Sequence, residues 1–136
     1  MNIAPQAKTI FSTLLENDFI ATHGFEEHRI EELGLSALAS KLIFNSGKEV
    51  TVTFNIYDDE PNQVELVIQI MNKYSQIKIS APPIVEETTK DIDIYKDPRC
   101  ISMVSYYNLY ELNNALETME CVILHLDSVA LCIVEM

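Results

Sequence analysis

Apolar residues recur with a helical period at the start of this chain and with a period of two in its middle, and the change of period divides it into elements. Ala7, Ile10, Phe11, Leu14 and Leu15 follow the i, i+3, i+4, i+7, i+8 template of a helix with one buried stripe. Pro5 suits the first turn, where no amide hydrogen is needed. Residues 4 to 17 are therefore expected to form an amphipathic helix. The next segment, HGFEEHRIEELG, fits neither period: Phe25, Ile30 and Leu33 are irregularly spaced, and Gly24 and Gly34 punctuate its ends. A short helix or a structured loop would fit it.

From Ala39 the period becomes two. Leu42 and Phe44 lead into the turn Asn45-Ser46-Gly47-Lys48, after which Val50, Val52, Phe54 and Ile56 alternate with Glu49, Thr51, Thr53 and Asn55. The turn DDEPN precedes Val64, Leu66, Ile68 and Ile70, and beyond Asn72-Lys73 the stretch QIKIS puts Ile77 and Ile79 on one side. The pattern predicts a four-stranded antiparallel meander with one wet face. Ala81-Pro82-Pro83 ends it, because proline cannot donate to a ladder. Residues 81–99 then read as an acidic, proline-containing linker, in which the alternation DIDIY suits only an exposed edge strand.

A second helix is predicted from Asn108 to Met119, with Leu109, Leu112, Leu116 and Met119 on one stripe and Asn108-x-x-Glu111 as a capping box. The chain closes with CVILHL, a two-residue Asp127-Ser128 turn and VALCIV, apolar at nearly every position, as in strands buried on two faces. The fold class expected is α+β: N-terminal helix, four-stranded antiparallel meander, second helix and a C-terminal β-hairpin, all in one sheet. At 136 residues, 48% of them apolar and only three glycines, residues 1–136 suit a single domain.

Charge changes the picture more than composition does. The formal net charge is −12, from 21 acids and 9 bases, and no Lys or Arg follows Arg99. Residues 38–85 are close to balanced, so the excess belongs to the peripheral helices, the linker and the C-terminal third. Such a surface repels phosphate backbones and anionic membranes and attracts basic proteins. The start MNIAPQAKTIF lacks a basic opening and an apolar stretch, and no run of 18 apolar residues occurs, so the expected location is cytoplasmic, away from membranes. Three cysteines without a CxxC agree with a reducing compartment.

Candidate chemistry is sparse. In the densest polar segment, Glu26, Glu27, His28, Glu31 and Glu32 have carboxylates and an imidazole, but their spacing matches neither HExxH nor an EF-hand, and no metal or other cofactor is assigned. With a two-residue turn, Cys121, His125 and Cys132 would share one face of the hairpin. A packed core histidine is the simpler reading, because apolar burial raises a thiol's pKa. No glycine loop cradles a phosphate, and no basic patch interleaved with aromatics serves DNA or RNA directly. Tyr106, Tyr107 and Tyr110 cluster at the entry to the second helix, where aromatics beside acids suit protein recognition.

The expected function is a non-catalytic acidic interaction module, an adaptor, chaperone, immunity protein or inhibitor that docks on a basic partner surface, with nucleic-acid mimicry as its sharpest form. Its candidate partner-binding residues are Glu26, Glu27, Glu31, Glu32, Asp91, Asp93, Tyr107, Glu111, Glu117 and Glu120. The alternatives are a small enzyme or ligand-binding domain using His125 and Cys132, and a homodimer joined through the C-terminal hairpin. No motif marks a family. The element order alone resembles that of small acidic secretion chaperones, which are α+β and of this size, although the expected order lacks a C-terminal helix.

Overall fold

A computed structural model describes residues 3–43, 49–71, 77–79, 93–97, 100–128 and 133–135. Helix α1, Pro5–Leu14, has Pro5 in its first turn and buries Ala7, Ile10, Phe11 and Leu14. It stops earlier than its periodicity suggests, leaving Leu15 outside, because Asn17 caps a second helix. The Asn17 side chain accepts from the Ile20 amide at 3.1 Å, and α2 runs Asp18–Thr22. Gly24, at φ 68°, then turns the chain into β1, Glu26–Ile30.

The segment HGFEEHRIEELG is thus neither a short α-helix nor a structured loop throughout. It contains an extended strand followed by a 3-10 turn at Glu31–Leu33, closed by Gly34 at φ 57°. A strand at the border of a sheet needs no apolar face of its own, so four polar residues in five can still extend when Phe25, just ahead of them, anchors the segment in the core.

Strands β2 (Leu35–Ile43), β3 (Glu49–Tyr57) and β4 (Gln63–Met71) pair antiparallel as the alternation predicts, with Leu38 opposite Phe54 and Phe54 opposite Leu66. The meander gains its fourth strand upstream, where β1 pairs with β2. The expected fourth strand, β5 (Ile77–Ile79), instead joins β8 (Ile133–Glu135) in a separate two-stranded sheet. On its far side β4 pairs with β7, Cys100–Asn108, and β7 with β6, Asp93–Asp97. Among the described residues the main sheet therefore has six strands, in the order β1-β2-β3-β4-β7-β6. The DIDIY alternation does end in an edge strand, β6.

The C-terminal hairpin is corrected. Helix α3, Leu112–Ser128, runs straight through CVILHL and the expected Asp127-Ser128 turn. The predicted start is present: Asn108 Oδ1 accepts from the Tyr110 amide at 2.9 Å and Glu111 Oε1 from the Asn108 amide at 3.1 Å, around a single 3-10 turn at Leu109–Glu111. The apolar run stays helical because Ala115, Met119, Val122 and Ile123 form one buried stripe at i, i+4, i+7, i+8, while Cys121 and Leu124 face outward.

Buried residues of the three described helices join a single cluster with Leu38, Val52, Phe54, Leu66, Ile68, Met103 and Tyr107, the inward positions of the central strands. One face of the sheet is thus helix-covered, which makes the fold α+β. Positions of the opposite parity carry Thr51, Thr53, Asn55, Glu65, Gln69 and Ser102. Side-chain bonds link neighbouring strands there, from Asn55 Nδ2 to Glu65 Oε1 at 2.9 Å and from Gln69 Nε2 to Ser102 Oγ at 3.1 Å. Among the described residues, no helix is long and apolar enough to cross a membrane.

Candidate functional site

The acidic segment around β1 is organised by one cation. Arg29 lies opposite Ser36 of β2, on the helix-covered side, and its side chain is only 9% exposed. Its guanidinium donates to Asp58 through both terminal nitrogens, at 2.8 and 2.6 Å, to Glu31 at 3.3 and 3.4 Å, and to Ser36 Oγ at 3.1 Å. The fork shape of the guanidinium suits two-point contact with a carboxylate. The Arg29 bond holds the Asp58 carboxyl below its ordinary range, and the two carboxylates hold the Arg29 proton more tightly. The Asp58 amide also donates to the Gly34 carbonyl at 2.8 Å, so the turn after β1 is pinned to the end of β3.

The remaining acids of this segment have weaker partners. Lys8 of α1 reaches Glu27 at 3.7 Å, and Glu31 shares Arg29. Among the described residues no cation pairs with Glu26 or Glu32, both exposed. On the open side of the sheet, Glu26 and His28 line a shallow groove of about 420 Å³ with His23, Gly24, Ala39, Ser40, Lys41 and Thr51. The His23 ring stacks on Phe19 with centroids 4.0 Å apart, its Nδ1 lies 2.8 Å from the Phe19 carbonyl, and Ser40 Oγ donates to the His23 carbonyl at 2.5 Å. Lys41 is 4.0 Å from Glu49. Among the described residues, no group of three or more His, Cys, Asp or Glu side chains is placed to hold a metal ion.

The structure brings Glu26, Glu27, Glu31 and Glu32 together on β1 and its turn, but it scatters the other candidates. Asp93 stands exposed on β6, at the opposite border of the sheet, roughly 24 Å away across five strand spacings. Glu117 and Glu120 are exposed on α3, where Asn17 Nδ2 donates to Glu120 Oε1 at 3.1 Å and sets the acids flanking Asn17 beside them. Glu111 serves the cap of α3. Tyr107 is withdrawn from the surface altogether: it is 1% exposed, and its hydroxyl accepts from Ser105 Oγ at 3.0 Å inside the core. Tyr110, 98% exposed, is the tyrosine of that cluster that faces solvent fully. Asp91 lies outside the described residues.

The shared face expected for Cys121, His125 and Cys132 is not formed. Cys121 is exposed on α3 and His125 belongs to the last turns of the same helix, so the strand that was to carry both of them beside Cys132 does not exist. Cys132 lies outside the described residues. The hairpin through which a homodimer was expected is likewise not formed.

Sequence reasoning missed the Arg29 clamp and the groove. The one available signal was Arg29 itself, a lone cation among four acids, which is better placed to organise its neighbours than to leave them repelling. Comparison of the chain with protein-family models, with curated proteins and with solved structures finds no match.

Proposed function

We propose that this protein is an acidic interaction module that docks on a basic protein surface and carries no catalytic centre of its own. The observation behind the reading is the pairing of its cations. Lys8, Arg29 and Lys41 are the three basic residues whose side chains are described, and each is already paired with an acid of the chain. The surplus on Glu26 and Glu32 at one border, and on Glu16, Asp18 and Glu117 at the helix junction, has no cation among the described residues and is open to an external one. Charge complementarity of this kind raises association rates and selects partners.

The test is affinity capture from the native host in a salt series, with the natural chain beside two charge-reversed forms, Glu26→Lys with Glu32→Lys and Glu117→Lys with Glu120→Lys. A basic protein should be held at about 0.1 M salt and released towards 1 M, as the screening length falls from ~10 to ~3 Å. At least one reversed form should lose it. A partner whose capture ignores both salt and charge reversal would rule the reading out.

A further inference from the structure

The hydrogen bond from the Asp58 amide to the Gly34 carbonyl fixes which way each main-chain group of the first strands points. Gly34 and Asp58 continue the β2–β3 register, in which Leu35 is opposite Tyr57, and they are a hydrogen-bonded pair. Bonded and non-bonded pairs alternate along an antiparallel ladder, so Ser36, Leu38 and Ser40 turn their polar main-chain groups towards β3. Leu35, Ala37 and Ala39 consequently turn theirs towards β1, where they meet Ile30, His28 and Glu26. Glu27 and Arg29 are left with N–H and C=O groups directed away from the sheet. Two donors and two acceptors thus lie along the border, and no described strand pairs with them.

The geometry points to this border as a docking site for an extended basic peptide, which would add to β1 as a seventh strand of the sheet. Main-chain bonds to Glu27 and Arg29 would supply the attachment, as in other strand additions, and side chains would supply the choice of partner. The occupant is defined by charge. An added strand sets its side chains beside Glu26, Glu27 and His28 and ends near Glu31 and Glu32. Glu26 and Glu32 have no cation among the described residues, and opposite charges on adjacent strands attract. A second copy of this chain is disfavoured at the same border: antiparallel self-pairing about His28 would set Glu27 opposite Arg29, whose guanidinium is already held by Asp58 and Glu31, and Glu26 opposite Ile30, so it brings no new cation to the acids. Arg29 does not oppose the guest, since its side chain is folded onto Asp58 and Glu31 under the sheet.

This inference rests on the acidic docking proposed above and specifies its mode, and the two fail differently. The probe is the capped hexapeptide KVRVKV, with EVEVEV and TVTVTV as comparisons, read by residue-resolved amide exchange on the full chain. KVRVKV should slow exchange at Glu27 and Arg29, while EVEVEV and TVTVTV should protect them little. In parallel, Glu27→Pro removes an outward donor that the β2 ladder does not use. It should weaken KVRVKV about tenfold relative to Glu27→Gln, which changes the charge equally but keeps the donor. If Glu27→Pro fails to fold, exchange on the natural chain decides. Salt-sensitive binding of KVRVKV that leaves both amides unprotected would overturn the strand addition while sparing the acidic docking, and so would absence of KVRVKV binding alongside capture of a basic host protein. Equal protection by TVTVTV would overturn the requirement for charge, and protection that grows with protein concentration without peptide would assign the border to a second copy.

Discussion

Two neighbouring truncations on the last helix test the largest departure from the pattern-based reading. On α3, Val122 is buried at 1% exposure and Leu124 points outward at 71%. On a strand the same two residues would share a face, so they would respond alike. Val122→Ala removes two carbons from a packed site, worth about 1.6 kcal/mol at ~0.8 kcal/mol per carbon. A residual void of about 50 Å³ adds roughly 1 kcal/mol if the site does not collapse. The expected loss is about 2–3 kcal/mol for Val122→Ala and within about 0.5 kcal/mol for Leu124→Ala. Urea unfolding followed by circular dichroism measures both: with a slope of about 2 kcal/mol/M, the midpoint should fall by about 1–1.5 M for Val122→Ala and by at most about 0.25 M for Leu124→Ala. Equal losses at the two positions, or a silent Val122→Ala, would refute the helical assignment of CVILHL.

Three further outcomes follow from the fold. Tyr107→Phe should destabilise by about 1–2 kcal/mol, because it leaves the buried Ser105 hydroxyl without its partner, yet it should not alter capture of a basic partner, since Tyr107 lies in the core. Gly34→Ala should lose about 1–2 kcal/mol in chemical denaturation, chiefly from its left-handed backbone, because an added Cβ would meet Asp58 Oδ2 only at an ordinary 3.5 Å. Asp58 has a carboxyl lowered by Arg29, so its contribution is present above the ordinary carboxylate pKa and is lost as pH falls through the lowered one. The melting temperatures of the natural chain and Asp58→Asn should therefore differ at neutral pH and converge in acid; a gap independent of pH would contradict the clamp.

The sequence by itself determined α1, strands β3 and β4, the half of β2 from Ala39 onward, the capped start of the last helix and the acidic excess. In each of these the apolar residues recur on one face with a clear period, or local side-chain chemistry such as Asn108 with Glu111 sets the boundary. Periodicity was silent at β1, because a border strand has one neighbour and can be charged along its length. It was obscured at β7, where buried Ser105 breaks the apolar face that Met103 and Tyr107 share. It was misleading at CVILHL, since a short run apolar at nearly every position suits a buried strand and a helix equally. Tertiary contacts decided those cases: the sheet offered one face to be covered, and only a helix sets Met119, Val122 and Ile123 on that face together. The site followed the same rule. The sequence supplied the acids around β1, but the distance between β1 and β6, the burial of Tyr107, the partners of Arg29 and the outward groups of Glu27 and Arg29 depend on strand order and register, which join residues far apart in the chain.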